Sequence, residues 1–308
     1  MIAAVDIGGT KIAAGIVDRN GKVLAKMECP TDAGSGYGNG LKRIIAMLRD
    51  VSQSAGTEIS GIGIGSTGVV YPETGEFGDA DFLPGWRGCK IVADLSKEFA
   101  VRVAIENDGD AAALAEAGWG AGKGKSRLIY VTVGTGIGGG IIFDGKLYRG
   151  VTAAHPEIGH HVLDASGPMC TCGFRGCWEA LATGPAMEAW FKSQTPQNGT
   201  SHESASAREI CDMARAGDAA ARKAVDREAY YLGLGLANLI TLFVPEVIVL
   251  GGSVMKSADL LLDRMHAVIR SGCRFVPAEK TELALASLGP DSNLIGAAMV
   301  WHHRFAQI

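Results

Sequence analysis

The chain has 308 residues, 47% hydrophobic and 20% charged, a length that allows one large domain or two ordinary ones. Its net charge of −4, from 29 basic and 33 acidic side chains, excludes a nucleic-acid binder that depends on phosphate contacts. Glycine is the unusual residue, because its 43 copies are roughly twice the ordinary share of about 7%. We therefore expect glycines at positions where the backbone needs them.

No segment of the sequence is expected to enter a membrane. Asp6 interrupts the apolar N-terminal stretch, which excludes a signal peptide. The most apolar run, 233–252, is broken by Asn238, Pro245 and Glu246 and is therefore no transmembrane helix. We expect a cytoplasmic protein with reduced cysteines and with no membrane or nucleic-acid partner.

The first part of the chain alternates predicted strands and helices. Two β-rich runs flank the turn Gly8-Gly9-Thr10-Lys11, and an Asn-Gly turn leads into a third strand. Apolar residues at helical spacing then predict a long helix. The pattern gives strands at 2–7, 12–17, 22–28, 59–65 and 101–105, and helices at 39–55, 91–99 and 109–118.

Residues 128–148 repeat the design of residues 2–24, with strands around the turn Gly134-Thr135-Gly136. Both glycine turns lie between strands, whereas a Rossmann motif or a P-loop needs a helix after its glycines. Two such hairpins in an alternating α/β chain predict two related domains that face each other across a cleft. The remaining pattern gives helices at 184–193, 206–216, 219–243, 257–272 and 293–305, strands at 246–250 and 282–286, and a polar stretch at 194–205.

The two glycine turns are candidate phosphate sites. Glycine lets backbone N–H groups turn toward an anion and lets phosphate oxygens approach closely. Thr10 and Thr135 can donate hydroxyl groups, Lys11 supplies a charge, and Asp6 is placed to hold the water shell of Mg²⁺. The alternative is a pair of ordinary tight hairpins.

A predicted strand ends and a helix begins at Glu106-Asn107-Asp108. Asp108 can simply cap the helix, the role that the tripeptide alone favours. It can instead act as a general base on a substrate hydroxyl, with Asn107 orienting the substrate.

Four residues between positions 160 and 177 have the composition of a closed zinc site. Thiolate and imidazole are the ligands that zinc prefers, and four of them give a structural site. Small core cysteines are the alternative, and His155 or His161 is an alternative histidine ligand. Glu157 and Glu179 lie on the same segment, placed to accept hydrogen bonds from a polyhydroxylated ligand. The predicted zinc ligands are His160, Cys170, Cys172 and Cys177.

Six motifs, in order along the whole chain, resemble those of the ROK family of sugar kinases. The resemblance implies an α/β fold with two actin/hexokinase-like (ribonuclease H-like) domains that close over ATP and sugar, plus a zinc-ordered loop. It implies domains at 1–118 and 119–292, with helix 293–308 returning to the first, and a homodimer or homotetramer. The motifs are DIGGTK at 6–11, ENDGDAAALAE at 106–116, GTGIGGG at 134–140, EIGH at 157–160, CTCGFRGCWE at 170–179 and GGSV at 251–254.

The resemblance also implies roles for individual residues. Asp108 is the catalytic base, and ATP phosphates lie between the two glycine turns. His160 binds zinc through one ring nitrogen and sugar through the other. The adenosine lies near Gly184, Gly251 and Gly252, and the sugar hydroxyls are held by Gly68, Asn107, Asp108, Glu157, His160 and Glu179.

These inferences predict a kinase that uses ATP and Mg²⁺ to phosphorylate the 6-hydroxyl of a hexose, with glucose as the first choice. The Ser66-Thr67-Gly68 sequence looks more like N-acetylmannosamine kinases, and His155-Pro156-Glu157 is similar to family fructokinases. Polyphosphate is an alternative donor. A sugar-sensing protein is the non-enzyme alternative, and we expect no DNA-binding domain ahead of the hairpin that starts at Asp6.

Overall fold

A computed structural model describes residues 1–194 and 204–306. The chain forms two compact units. The first comprises Met1–Tyr130, Gly140–Pro156 and the chain from Ala286 onward, and the second comprises Val131–Gly139 and Glu157–Leu285. Most of the polar stretch predicted at 194–205, and the last two residues of the segment 293–308, lie outside the described residues. Among the helices described, none is both long and apolar enough to cross a membrane.

The first sheet has five strands in the order β3-β2-β1-β4-β7. Helices α1 and α2 cover one face, and the last helix, α9, covers the other. The elements are β1 (Ile2–Ile7), β2 (Lys11–Val17), β3 (Val23–Pro30), α1 (Tyr37–Ala55), β4 (Gly61–Ser66), β5 (Val70–Tyr71), β6 (Glu76–Phe77), α2 (Ile91–Phe99), β7 (Arg102–Asn107), α3 (Asp108–Gly118) and α9 (Ser292–Phe305).

The second sheet has the order β10-β9-β8-β11-β12, which matches the first sheet strand for strand. This match confirms the repeated α/β design that the sequence predicts. The remaining elements are β8 (Leu128–Val133), β9 (Ile137–Phe143), β10 (Lys146–Leu147), α4 (Trp178–Leu181), α5 (Gly184–Gln194), α6 (Ala207–Ala216), α7 (Ala219–Phe243), β11 (Val247–Gly251), α8 (Ala258–Gly272) and β12 (Glu282–Leu285).

Strand β4 shows why the chain needs glycine inside a sheet as well as in turns. Its sequence GIGIGS alternates, so that Ile62 and Ile64 belong to the core under α1 and α2 while the glycines face α9. A methyl group on Gly63 would lie 1.9 Å from the carbonyl oxygen of Ala297. The backbone of α9 therefore packs directly against the strand.

Substituting Gly63 tests this close packing. We expect Gly63→Ala to lower the free energy of unfolding by at least about 2 kcal/mol, because either the helix or the strand must move. Gly38→Ala is the matched control, since Gly38 lies in α1 with open space around its Cα. It is expected to be neutral or to stabilise by up to about 1 kcal/mol. Equal urea midpoints for the two variants would contradict the packing argument.

Candidate active site and metal cluster

One edge of the first sheet collects the site residues of the first unit. Strands β1, β4 and β7 run parallel, and their register places Asp6, Gly65 and Glu106 in one row. The glycine turn, the Gly68 loop and Asp108 follow these strands at the same edge. Ligand sites of open α/β sheets lie at such carboxyl ends. The Thr67 N–H donates to the Ile7 carbonyl over 2.9 Å, which holds the first two segments together.

The first glycine turn closes on itself and carries a lysine at its end. The Gly8 N–H donates to the Lys11 carbonyl over 2.9 Å. The Lys11 ammonium lies 2.8 Å from a Glu28 carboxylate oxygen, with both side chains about half exposed. Exposed ion pairs of this kind are weak, so a phosphate can compete for the ammonium. Asp6 accepts a hydrogen bond from Asn293 Nδ2 over 3.1 Å, and burial raises the pKa of its carboxyl.

Asn107 is the N-cap of helix α3, and Asp108 is its first residue. The Asn107 Oδ1 accepts from the Gly109 N–H over 2.8 Å, while its Nδ2 donates to the Gly68 carbonyl over 3.2 Å. Asp108 Oδ1 also accepts from Gly109, over 2.9 Å. Burial, followed by the negative charge of Asp6, raises the pKa of Asp108 to about 6. A carboxyl in that range suits a general base near neutral pH.

A buried ionic network supports both sides of Asp108. Arg149 forms ion pairs with Glu106, at the end of β7, and with the fully buried Asp110 in α3. His155 Nδ1 lies 2.9 Å from Asp110 Oδ2, so this histidine belongs to the network. Burial raises the pKa of Glu106 to about 7 although Arg149 opposes the shift. No sequence pattern pointed to Arg149, because it lies far from Glu106 and Asp110 along the chain.

The predicted zinc ligands meet in the second unit. Their four ligand atoms lie within 4.8 Å of one another, whereas His161 lies against the Trp178 ring, with its Nδ1 2.6 Å from the Ile158 carbonyl oxygen. The donor set of three thiols and one imidazole fits a structural zinc ion. Cys170 Sγ lies 3.4 Å from His160 Nδ1, and Cys172 Sγ lies 3.4 Å from Cys177 Sγ.

Glu179 connects the zinc segment to the second glycine turn within the same unit. Its Oε2 accepts from the Ile137 N–H over 2.9 Å, and a methyl group on Gly136 would lie 2.5 Å from that oxygen. Glu157 is exposed, and its carbonyl accepts from the His160 N–H over 3.1 Å. The Glu179 side chain therefore contacts the second glycine turn, whereas Glu157 contacts His160 through its backbone.

A cavity of about 680 Å³ in the second unit is lined by some of the residues predicted for the nucleotide. Gly134, Thr135 and Gly184 line it, and the Gly184 N–H donates to the Gly134 carbonyl over 3.0 Å. Gly251 and Gly252 lead into it through Ser253, which is also in the lining.

Three basic residues that the sequence analysis missed also line this cavity. Glu188 and Asp212 line it as well, and Arg215 forms ion pairs with Asp212 and Asp259, so the lining carries both signs of charge. Two of the three basic residues lie on α6 and the third lies in the turn before α8, where basic residues look like any solvated surface, so the sequence carried no signal for them. The three basic residues are Arg208, Arg215 and Lys256.

Comparison with known proteins gives matches along the full chain. The model of the ROK family matches residues 2–304. Over 311 residues the chain is 32% identical to a glucokinase of Thermotoga maritima, with 98% of each protein covered. A ROK hexokinase from Thermus thermophilus has a TM-score of 0.81 and 34% identity, covering 97% of both chains. A ROK family glucokinase from Streptomyces griseus, solved in complex with glucose and AMPPNP, has a TM-score of 0.79 and 33% identity, covering 96% of this chain and 97% of that one.

Replacing one cysteine tests the metal cluster. Cys172 is exposed, so Cys172→Ser removes a ligand atom without opening a cavity. We expect the purified variant to lose most of its bound zinc and to melt at a lower temperature, because a closed site with three ligands holds the metal poorly. Cys89→Ser, outside the cluster, is the control and should keep the zinc content of the wild type. If Cys172→Ser also keeps the zinc content of the wild type, the cluster is not a metal site.

Proposed function

The chain belongs to the ROK family and is a phosphotransferase of the sugar kinase type, and on this premise we propose that it transfers the γ-phosphate of ATP to the 6-hydroxyl of a hexose, with glucose preferred. The observation that carries the proposal is Asp108, a partly buried carboxyl beside Asn107 at the sheet edge that also holds the Gly8-Gly9 turn. The glucokinases among its relatives support glucose as the acceptor.

On the sugar side, Asp108 accepts the proton of the 6-hydroxyl as the new O–P bond forms and the bond to the leaving ADP breaks. Asn107 positions the Gly68 loop, which we assign to the sugar, by donating a hydrogen bond to the Gly68 carbonyl. We assign Glu157, His160 and Glu179 to the remaining hydroxyls. Because Nδ1 of His160 is on the metal side, Nε2 is its sugar-binding nitrogen. Bound zinc would fix the orientation and tautomer of this imidazole.

On the nucleotide side, we assign the phosphates to the two glycine turns. The N–H groups of Gly9 and Thr10, and those of Thr135 and Gly136, provide donors for phosphate oxygens. The N–H groups of Gly8 and Gly134 instead close their own turns, through the carbonyls of Lys11 and Gly136. Lys11 adds a positive charge, and Asp6 would hold the hydrated Mg²⁺, which neutralises phosphate charge when bound. We assign the adenosine to the cavity near Gly184, Gly251 and Gly252, which is large enough for it.

A coupled assay over a panel of sugars tests the function. We expect the highest kcat/KM with glucose when it is compared with mannose, fructose, glucosamine, N-acetylglucosamine and N-acetylmannosamine, with ATP and polyphosphate each tried as donor. A preference for N-acetylmannosamine would overturn the choice of sugar and leave the kinase chemistry standing. Failure to phosphorylate any of these sugars with either donor would contradict the kinase proposal.

The catalytic role of Asp108 predicts a specific loss in Asp108→Asn. We expect kcat to fall by about 10²–10⁴-fold, because the amide cannot accept the proton, while ATP binding and the melting temperature stay near the wild-type values. Asp50→Asn changes an exposed carboxylate of α1 and serves as the control. Near-normal turnover in Asp108→Asn would exclude a general base at this position.

The raised pKa of Asp108 predicts the pH dependence of the wild type. Only the ionised carboxylate accepts a proton, so kcat/KM should be constant above the pKa and fall about tenfold per pH unit below it. The acid limb is expected at about 6, well above the ordinary value of 3.8. A fall in kcat/KM centred at the ordinary value would show that burial does not raise the pKa of the catalytic base.

A further inference from the structure

A short segment of the first unit holds a phenyl ring at the surface while its neighbours are buried. Phe82 is 49% exposed, whereas Leu83 is 3% and Trp86 0% exposed. The Trp86 ring contacts those of Tyr37 and Phe77 edge to face, with centroids 5.4 and 5.2 Å apart. The segment is therefore anchored directly after Phe82, and its fold fixes where the ring lies.

Phe82 lies between two segments that we assign to substrate. A methyl group on Gly9 would lie 3.0 Å from the Cβ of Phe82, and one on Gly68 would lie 3.1 Å from its Cε2. One end of the side chain thus contacts the phosphate turn and the other contacts the Gly68 loop. The Gly68 carbonyl accepts from Asn107, the residue before Asp108. Only Gly68 and Asn107 separate the ring from the proposed base along this chain of contacts.

An exposed phenyl ring beside polar groups matches the two-sided character of a hexose. The hydroxyl groups of a pyranose point outward and need hydrogen-bond partners, while its C–H groups form apolar faces. Aromatic rings carry negative charge on their faces and positive charge on their edges, so they attract such C–H groups. Apolar walls with a few placed polar groups are the usual composition of small-ligand sites.

We propose that Phe82 is a sugar-contact residue, whose ring packs against a C–H face of the hexose that Asn107 and Asp108 hold by its hydroxyls. This inference rests on the proposed hexose kinase function. It adds an apolar, specificity-determining contact to a site that the sequence describes only through polar residues and glycines.

The alternative is that Phe82 only fills the space between Gly9 and Gly68. Leucine fills much of the same space but has no aromatic face, so Phe82→Leu separates the two roles. Phe82→Tyr keeps the ring and is the conservative variant. Phe275→Leu is the matched control, because Phe275 is fully exposed and lies in the second unit.

The experiment measures KM for glucose and for ATP, and glucose binding by calorimetry without ATP, in the wild type and the three variants. For Phe82→Leu we expect about a tenfold rise in both the KM and the Kd for glucose, the value of one aromatic contact, with the KM for ATP unchanged. Phe82→Tyr should retain glucose binding better than Phe82→Leu, and Phe275→Leu should match the wild type.

Three outcomes would overturn the inference. An unchanged Kd for glucose in Phe82→Leu would show that the ring makes no sugar contact. Equal increases in the KM values for glucose and ATP would show that the ring only supports the phosphate turn. Failure of the wild type to bind any hexose would overturn both this inference and the proposed function. If the wild type phosphorylates a hexose and Phe82→Leu keeps the wild-type Kd for glucose, this inference alone is overturned.

Discussion

In the first sheet, hydrogen bonds pair β1, β4 and β7 in parallel, so that all three strands end at the same edge. Residues that are about a hundred positions apart, such as Gly8 and Asp108, reach that edge because each directly follows one of these strands. The register therefore brings the glycine turn and the Asp108 carboxyl to the same edge, although they are far apart in the sequence. The phosphate-binding and proton-accepting roles of our proposal both depend on this geometry.

Close packing of the sheet against α9 maintains the same register. The glycines of β4 leave no side chain between the strand and the helix, so the carbonyl of Ala297 approaches Gly63 directly. Part of the glycine excess therefore serves packing, in addition to the turns that we assign to phosphate. The high glycine content thus has two causes: turns whose backbone we expect a ligand to approach, and a strand face without side chains against which a helix packs.

The environment at this edge of the sheet then shifts the pKa values of the carboxyl groups that lie there. Asp108 and Glu106 both have raised pKa values because burial disfavours their charged forms. Arg149 forms ion pairs with Glu106 and Asp110, on either side of Asp108, while the charge of His155 opposes the rise in the pKa of Asp108 without cancelling it. A carboxyl in that environment takes up a proton more readily than an exposed one, as a base in phosphoryl transfer needs.

The sequence by itself determined the repeated α/β hairpins, the helices and the cysteine cluster. Each of these depends on neighbours within about twenty residues, through hydrophobic period, turn chemistry or ligand spacing. Only the tertiary structure decided that Asn107 caps helix α3, that His155 pairs with Asp110, and that Phe82 lies between Gly9 and Gly68. These contacts join segments that are distant along the chain or choose between equivalent local partners, and only the packed fold sets such distances.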